Sequence, residues 1–238
     1  MTDGHLISDP WSFIMKRARK PEQKEERREA ILTAGWTLFR EQAFTDISMS
    51  GVAAQANVAK GTLYLYFKTK EELFLAILTE KYSDFFGALN AHLPQFPPTT
   101  DEFEYGRQLA RFLVQHPHML RLMGIAPLML EHNSDDDAIR AYKEVTLLNL
   151  GQTGGIFEAV TDFFPAGSGP QFVLDVYTVI LGVHQITNIP QNVAELIEQE
   201  PHLNLFNIDQ EEYLAHMIGT HLRGLTHENQ DKPRGTGI

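Results

Sequence analysis

Between Ile47 and Leu73 the chain reads ISMSGVAAQANVAKGTLYLYFKTKEEL, and its hydrogen-bonding side chains include Ser48, Ser50, Lys60, Thr62, Tyr64, Tyr66 and Lys70. What these groups offer is non-covalent: hydroxyls and ammonium groups for phosphate oxygens and base edges, and phenol rings for thymine methyls. The intervening residues say how they are held. Ser48 is a natural N-cap, its hydroxyl accepting an orphan backbone N–H. Val52, Ala53 and Ala56 recur at helical spacing, and small residues there allow a second helix to cross closely. Asn57 falls where a tight turn needs a residue tolerant of positive φ. Val58 returns to the core, and Ala59-Lys60-Gly61-Thr62 opens the next helix, presenting Lys60, Thr62 and the side-chain-free Gly61. Leu63 and Phe67 lie four apart and point inward, which turns Tyr64, Tyr66 and Lys68 outward. Two tyrosines beside lysines suit a surface that meets DNA, and the layout is a helix-turn-helix.

Residues from about Lys24 to Asp84 resemble the DNA-binding domain of the TetR family of transcriptional regulators. The resemblance rests on Ile31-Leu32 and Leu38-Phe39 in a first helix, on Phe44, and on VAAQANVAKGTLYLYFKTKEEL nearly position by position. It spans some sixty residues in one register, about a quarter of the chain, which makes it specific. Two residues depart from the pattern. Ala43 stands where the family usually has the Gly ending helix one, so a left-handed residue there would be mildly strained, and Asn57 replaces another Gly at little cost.

The 238 residues allow one large domain or two modest ones. No run of about 18 apolar residues suggests a membrane span, and polar MTDGH begins the chain without a signal-peptide core, so a cytoplasmic location is expected. Absence of cysteine excludes disulfides and thiolate metal sites. The net charge of −11 is unevenly spread: residues 1–70 carry eleven Lys/Arg against eight Asp/Glu, and residues 71–238 nine against twenty-three. The only basic surface therefore falls on the helix-turn-helix half, as a DNA reader requires.

The pattern predicts an all-α protein: a three-helix helix-turn-helix domain joined by a long fourth helix to a larger α-helical ligand-binding and dimerisation domain. Residues 1–23, with Trp11, Phe13 and KRARKP at 16–21, form either a basic arm for DNA or a solvated terminus. The DNA-binding domain is placed at 24–84 and the C-terminal domain at 85–238. Helix one is expected from Pro21 to Gln42, then helices at about 48–55, 59–66 and Lys70 to Ala91. Leu73, Phe74, Ile77, Leu78, Phe85 and Leu89 line the last of these. After the break PQFPPTT at 94–100 come helices near 101–115, from Pro117 to Gly124, near 126–132, at 135–150 with a possible continuation to Phe163, at 171–189 and at 209–226. Residues 190–208 read as loop with one helical turn.

Other constellations are weaker. His116 and His118 flank Pro117 at a spacing that fits no common zinc signature, and no metal is expected. Asp135-Asp136-Asp137 lacks the pattern of a calcium loop and suits a helix N-terminus. Gly151, Gly154 and Gly155 lack the strand and the Lys-Ser/Thr of a phosphate loop. No catalytic triad or paired-carboxylate arrangement emerges, and no cofactor is expected. His184, Gln185, Thr187 and Asn188 cluster at the polar end of an apolar helix, facing an effector pocket, a dimer partner or solvent. Phe112, Met119, Met123, Tyr142 and Phe157 could line such a pocket or form ordinary core.

The resemblance implies a regulator that binds a double-stranded operator as a homodimer, with an unknown small-molecule effector. Ser48, Ser50 and Lys70 are expected mainly on phosphates, and Lys60, Gly61, Thr62, Tyr64 and Tyr66 at the groove. An enzyme or a protein-interaction adaptor carrying a helix-turn-helix are the alternative readings. The surplus apolar residues of 171–189, namely Phe172, Val173, Val176, Val179, Ile180 and Val183, point to a dimer surface shared with 209–226.

Overall fold

A computed structural model describes residues 10–231, with side chains from 22 to 227. It holds helices α1 (Pro10–Glu41), α2 (Met49–Gln55), α3 (Lys60–Tyr64), α4 (Lys70–His92), α5 (Glu102–Val114), α6 (Pro117–Ile125), α7 (Asp136–Val160), α8 (Gly169–Thr187), α9 (Gln191–Gln199) and α10 (Gln210–Asp231). No strand occurs among the described residues. Helix α1 starts at Pro10 rather than Pro21. Apolar periodicity begins only where a helix meets a core, at Ile31, whereas residues 11–20 hold no Gly and Pro10 suits a first helical position. The arm expected at 1–23 is thus helical from Pro10 onward; residues 1–9 and the side chains of Trp11, Phe13 and 16–21 lie outside the described residues.

The chain divides into two compact units, Met1–Ile77 and Leu78–Ile238, with the division inside α4. In the first unit, Ile31, Leu32 and Phe39 of α1 are buried with Phe44, Val52, Leu63, Leu73 and Phe74. The Phe74 ring is shared, 5.6 Å from Phe39 and 5.2 Å edge-on from Phe44. Ala43 is extended, at φ −67° and ψ 146°, so the strain expected of a left-handed residue does not arise. A short 3₁₀ turn at Phe44–Asp46 closes the connection instead.

In the second unit α5 is amphipathic and capped by Asp101, whose carboxylate accepts the Phe103 and Glu104 amides at 2.8 and 3.0 Å. Asp135 caps α7 through the Ala138 amide at 2.9 Å. That helix runs unbroken to Val160; Gly151 and Gly155 are exposed and meet nothing within 4 Å, whereas Gly154 lets the start of α8 approach closely, an added Cβ there running into the Pro170 nitrogen. Residues 126–130, expected as plain helix, form one π-helical turn around Pro127, which lacks the N–H an α-helical bond needs. Residues 190–208 hold more helix than expected: α9, then a 3₁₀ segment at Pro201–Phe206, neither burying a residue. Helix α8 turns Phe172, Val173, Val176, Ile180 and Val183 into the unit's own core, so five of the six residues expected on a dimer surface are internal and Val179 is half-buried.

Close backbone packing also joins α5 to α10. A Cβ on Gly106 would lie 2.6 Å from the Ala215 carbonyl oxygen and 2.9 Å from the Gly219 amide nitrogen, and one on Gly219 would lie 2.9 Å from the Phe103 Cα. Backbone cannot yield there as a side-chain tip can. Gly106→Ala is therefore expected to destabilise by about 1–3 kcal/mol through overpacking. Gly87→Ala, in an exposed position of α4 with nothing within 4 Å, should stabilise by about 0.5–1 kcal/mol. Urea unfolding followed by circular dichroism checks the opposite signs.

Candidate DNA interface and effector cavity

Ser48 caps α2: its hydroxyl accepts the Gly51 amide at 3.1 Å. The turn after α2 passes through Asn57 at φ 52°. It closes with the Val58 amide bonded to the Ala53 carbonyl at 2.9 Å, which brings α3 back over α2. Leu63 is fully buried and Phe67 nearly so, and this anchoring fixes which face of α3 is outward. Lys60, Gly61 and Tyr64 are exposed, Thr62 and Tyr66 are half-buried, and a Cβ at Gly61 would meet nothing within 4 Å. The first turn of α3 is consequently an open, basic, hydroxyl-bearing surface on which a duplex backbone could approach closely. Ser50 is exposed beside it on α2. Leu65 stands out at 84% exposed; sequence reading passed over it because an apolar residue between Leu63 and Phe67 resembles core.

Lys70 occupies a different role from a free phosphate ligand. Its ammonium donates to the Phe44 carbonyl at 2.8 Å and to the Ile47 carbonyl at 3.0 Å, and it lies 4.2 Å from the centre of the Phe44 ring. The first residue of α4 thereby holds the segment leading into Ser48 and α2. The spacing of twenty-six residues between Lys70 and Phe44 hides this clamp from any local pattern. At the same helix start the Glu72 carboxylate accepts the Lys68 amide at 2.7 Å, while the Thr69 hydroxyl accepts the Glu72 amide at 3.0 Å.

In the second unit an apolar cavity of about 30 Å³ lies among Phe85, Phe86, Met123, Phe157, Tyr177 and Ile180, with further aliphatic neighbours. Of the expected effector residues, Met123 and Phe157 line it. Phe112 and Met119 are buried elsewhere, Phe112 stacking 4.6 Å from His116. Tyr142 is buried behind the wall, its hydroxyl 3.2 Å from that of Tyr82 and its ring stacked on the Tyr82 ring. Tyr177, on the cavity wall, interacts electrostatically with both phenols. Burial pushes the Tyr82 and Tyr177 phenols up, so they are neutral donors at pH 7. Gln185 and Asn188 are exposed, and the Thr187 hydroxyl bonds back to the Val183 carbonyl at 2.9 Å. His184 is half-buried against Gly124 of α6; burial and the Arg121 charge hold its imidazole below the usual range. The missed residues, Tyr82 and Tyr177, sit on separate helices, and no sequence signal pairs them. Among the described residues no group of three His, Asp or Glu could hold a metal ion.

A helix-turn-helix head with an outward basic helix, carried by a larger helical unit, defines a DNA-binding regulator. Residues 31–77 match the family described as bacterial regulatory proteins, tetR family. Residues 79–229 match that described as tetracyclin repressor-like, C-terminal domain. The chain belongs to the TetR family of regulators. An uncharacterised HTH-type transcriptional regulator of Haemophilus influenzae is 35% identical over 101 residues, 41% of this chain and 52% of its own. The fatty acid metabolism regulator of Bacillus subtilis is 36% identical over 63 residues, 26% of this chain and 32% of its own. The matched regions thus span about half the length of these curated relatives or less. The solved structure of a TetR-family regulator from Mesorhizobium loti shares the fold at a TM-score of 0.53 and 16% identity, covering 86% of this chain and 97% of that one. The multidrug binding protein EbrR, complexed with ethidium, does so at 0.51 and 22%, covering 82% and 97%.

Replacing Lys70 by Met should destabilise the first unit and weaken binding to every duplex without changing the salt dependence. Lys60→Ala should instead reduce the slope of log affinity against log salt by about one unit. Fluorescence anisotropy on labelled duplex at four salt concentrations separates the two.

Proposed function

We propose that this protein is a ligand-responsive repressor that binds a palindromic operator as a homodimer. The observation that carries the reading is the open first turn of α3, with Lys60, Gly61 and Thr62 at its start and Tyr64 exposed a turn later. Lys60 and Thr62 reach base edges or phosphates, Tyr64 and Leu65 offer apolar contact to thymine methyls and sugars, and Ser50 and Tyr66 lie on the flanking backbone. Ser48 contributes through its cap and Lys70 through its clamp.

One head reads too few base pairs alone, and a two-fold dimer doubles the site. The outward face of α8 supports such pairing. Leu174, Thr178, Gly182 and Ile186 recur every fourth residue; none is buried, and Gly182 meets nothing within 4 Å. On α10, Tyr213, Met217, Thr220 and Gly224 form a comparable exposed stripe. Apolar side chains alternating with small ones let two helices approach and bury surface together.

The cavity in the second unit supports an effector site for an uncharged, largely apolar molecule, since its wall is apolar and Tyr177 is neutral. At about 30 Å³ it is far smaller than the ligand. Binding therefore requires the helices to part, which ties occupancy to a change of packing. Helix α4 contributes Phe85 and Phe86 to the cavity and Lys70 to the clamp, so one continuous helix serves both functions. Displacing it alters the separation of the two heads, which adjacent major grooves require at about 34–36 Å. The expected coupling is about 1–3 kcal/mol and acts equally in both directions. Cytoplasmic residence follows from this role; no single helix among the described residues is long and apolar enough to cross a membrane.

Light scattering should give twice the 27.0 kDa chain mass. Gly182→Glu should yield a folded monomer, and a dimeric variant would remove α8 from the interface. Tyr64→Ala should weaken binding to the protein's own upstream region by about 1–3 kcal/mol while sparing non-specific DNA. An unchanged footprint in the Tyr64→Ala, Lys60→Ala double variant would contradict the interface.

A further inference from the structure

Residues 189–208, which join α8 to α10, form an arm that stands apart from the core of its unit. Helix α9 leaves α8 at an angle of 74° and packs chiefly on the 3₁₀ segment Pro201–Phe206 that follows it. Neither element buries a residue. Their side chains are nonetheless apolar: Val193, Leu196, Leu205 and Phe206 are all exposed, Leu196 at 52% and Leu205 at 84%. An ordered segment that leaves this much apolar surface uncovered calls for a partner. The arm is also acidic. It carries Glu195, Glu198 and Glu200, and no Lys or Arg occurs between Glu144 and Leu222. Pairing two such arms would bring like charges together, and an anionic lipid surface would repel them.

A second uncovered apolar surface lies on the outer face of α7. Leu147 is 71% and Leu148 59% exposed, and one turn further on Gly151 has nothing within 4 Å of an added Cβ. Arg140 and Lys143 precede the leucines, against a single acid, Glu144. Arg140 is exposed and forms no ion pair among the described residues. Lys143 holds Glu131 at 2.9 Å, and its ammonium keeps donors for a second carboxylate. The two faces match in register when the helices run antiparallel. On α9, Glu200 lies one turn after Leu196; on α7, Lys143 lies one turn before Leu147. The same alignment sets Val193 over the gap at Gly151.

We propose that each protomer's arm crosses to a second copy of this chain and lays α9 antiparallel along its α7. Leu196 then covers the partner's Leu147, Val193 fills the space over the partner's Gly151, and Glu200 meets the partner's Lys143. A two-fold axis makes the contact twice. The proposal rests on the homodimer reading and adds an exchanged arm to the pairing through α8 and α10.

The chain has no cysteine, so single replacements report one contact each. Leu196→Cys and Leu147→Cys chains, co-expressed and oxidised with copper phenanthroline, should form a disulfide-linked species of twice the chain mass. Neither alone should do so. Gly155→Cys, about 12 Å along α7 from Leu147, should link to Leu196→Cys at least tenfold more slowly. Leu196→Glu should raise the dimer dissociation constant at least tenfold. Light scattering that shows a dimer without the Leu196–Leu147 link would overturn the exchanged arm and leave the homodimer standing. Linking of Leu196→Cys to itself would overturn it too, by placing arm against arm, and a monomer throughout would overturn both readings.

Discussion

The approach of helix backbones at positions without side chains is the constraint on which both units rest. Helices stacked through ordinary side chains sit about 8–10 Å apart; at Gly106 and Gly219 the α5 and α10 backbones come within reach of each other's carbonyl and amide groups. In the first unit Gly35 of α1 plays a milder part, where an added Cβ would lie 2.7 Å from the Ile77 side-chain tip. These contacts fix the helices' positions before any particular side chain is considered.

The DNA-reading head shows how electrostatics and packing divide their work. Leu63 and Phe67 anchor α3, which leaves its opposite face outward and without a role in the fold. Lys70 uses its charge inward: two carbonyls and the Phe44 ring surround the ammonium, where charge-assisted bonds are stronger than in bulk water. Lys60 uses its charge outward. Two lysines ten residues apart thus do opposite things, one organising the head and one facing outward.

In the second unit the buried phenols carry the polarity that an all-helical core otherwise lacks. Tyr82 and Tyr142 come from α4 and α7 and pair through their hydroxyls, with Tyr177 of α8 beside them at the wall of an apolar cavity. A connected network of this kind favours one arrangement over slipped alternatives.

The sequence by itself determined the all-α class, the cap at Ser48, the left-handed turn at Asn57 and the inward pair Leu63 and Phe67, because each depends on spacing within one or two turns of helix. Its basic N-terminal part and acidic remainder were legible from composition alone. Tertiary structure decided what distance along the chain concealed. Lys70 reaches back to Phe44, α8 spends its most apolar residues on its own core, and Gln185 and Asn188 face solvent. Tyr82 of α4 pairs with Tyr142 of α7, sixty residues on. Periodicity reports which residues share a helix face. Which face meets which neighbour follows only from packing all the helices at once.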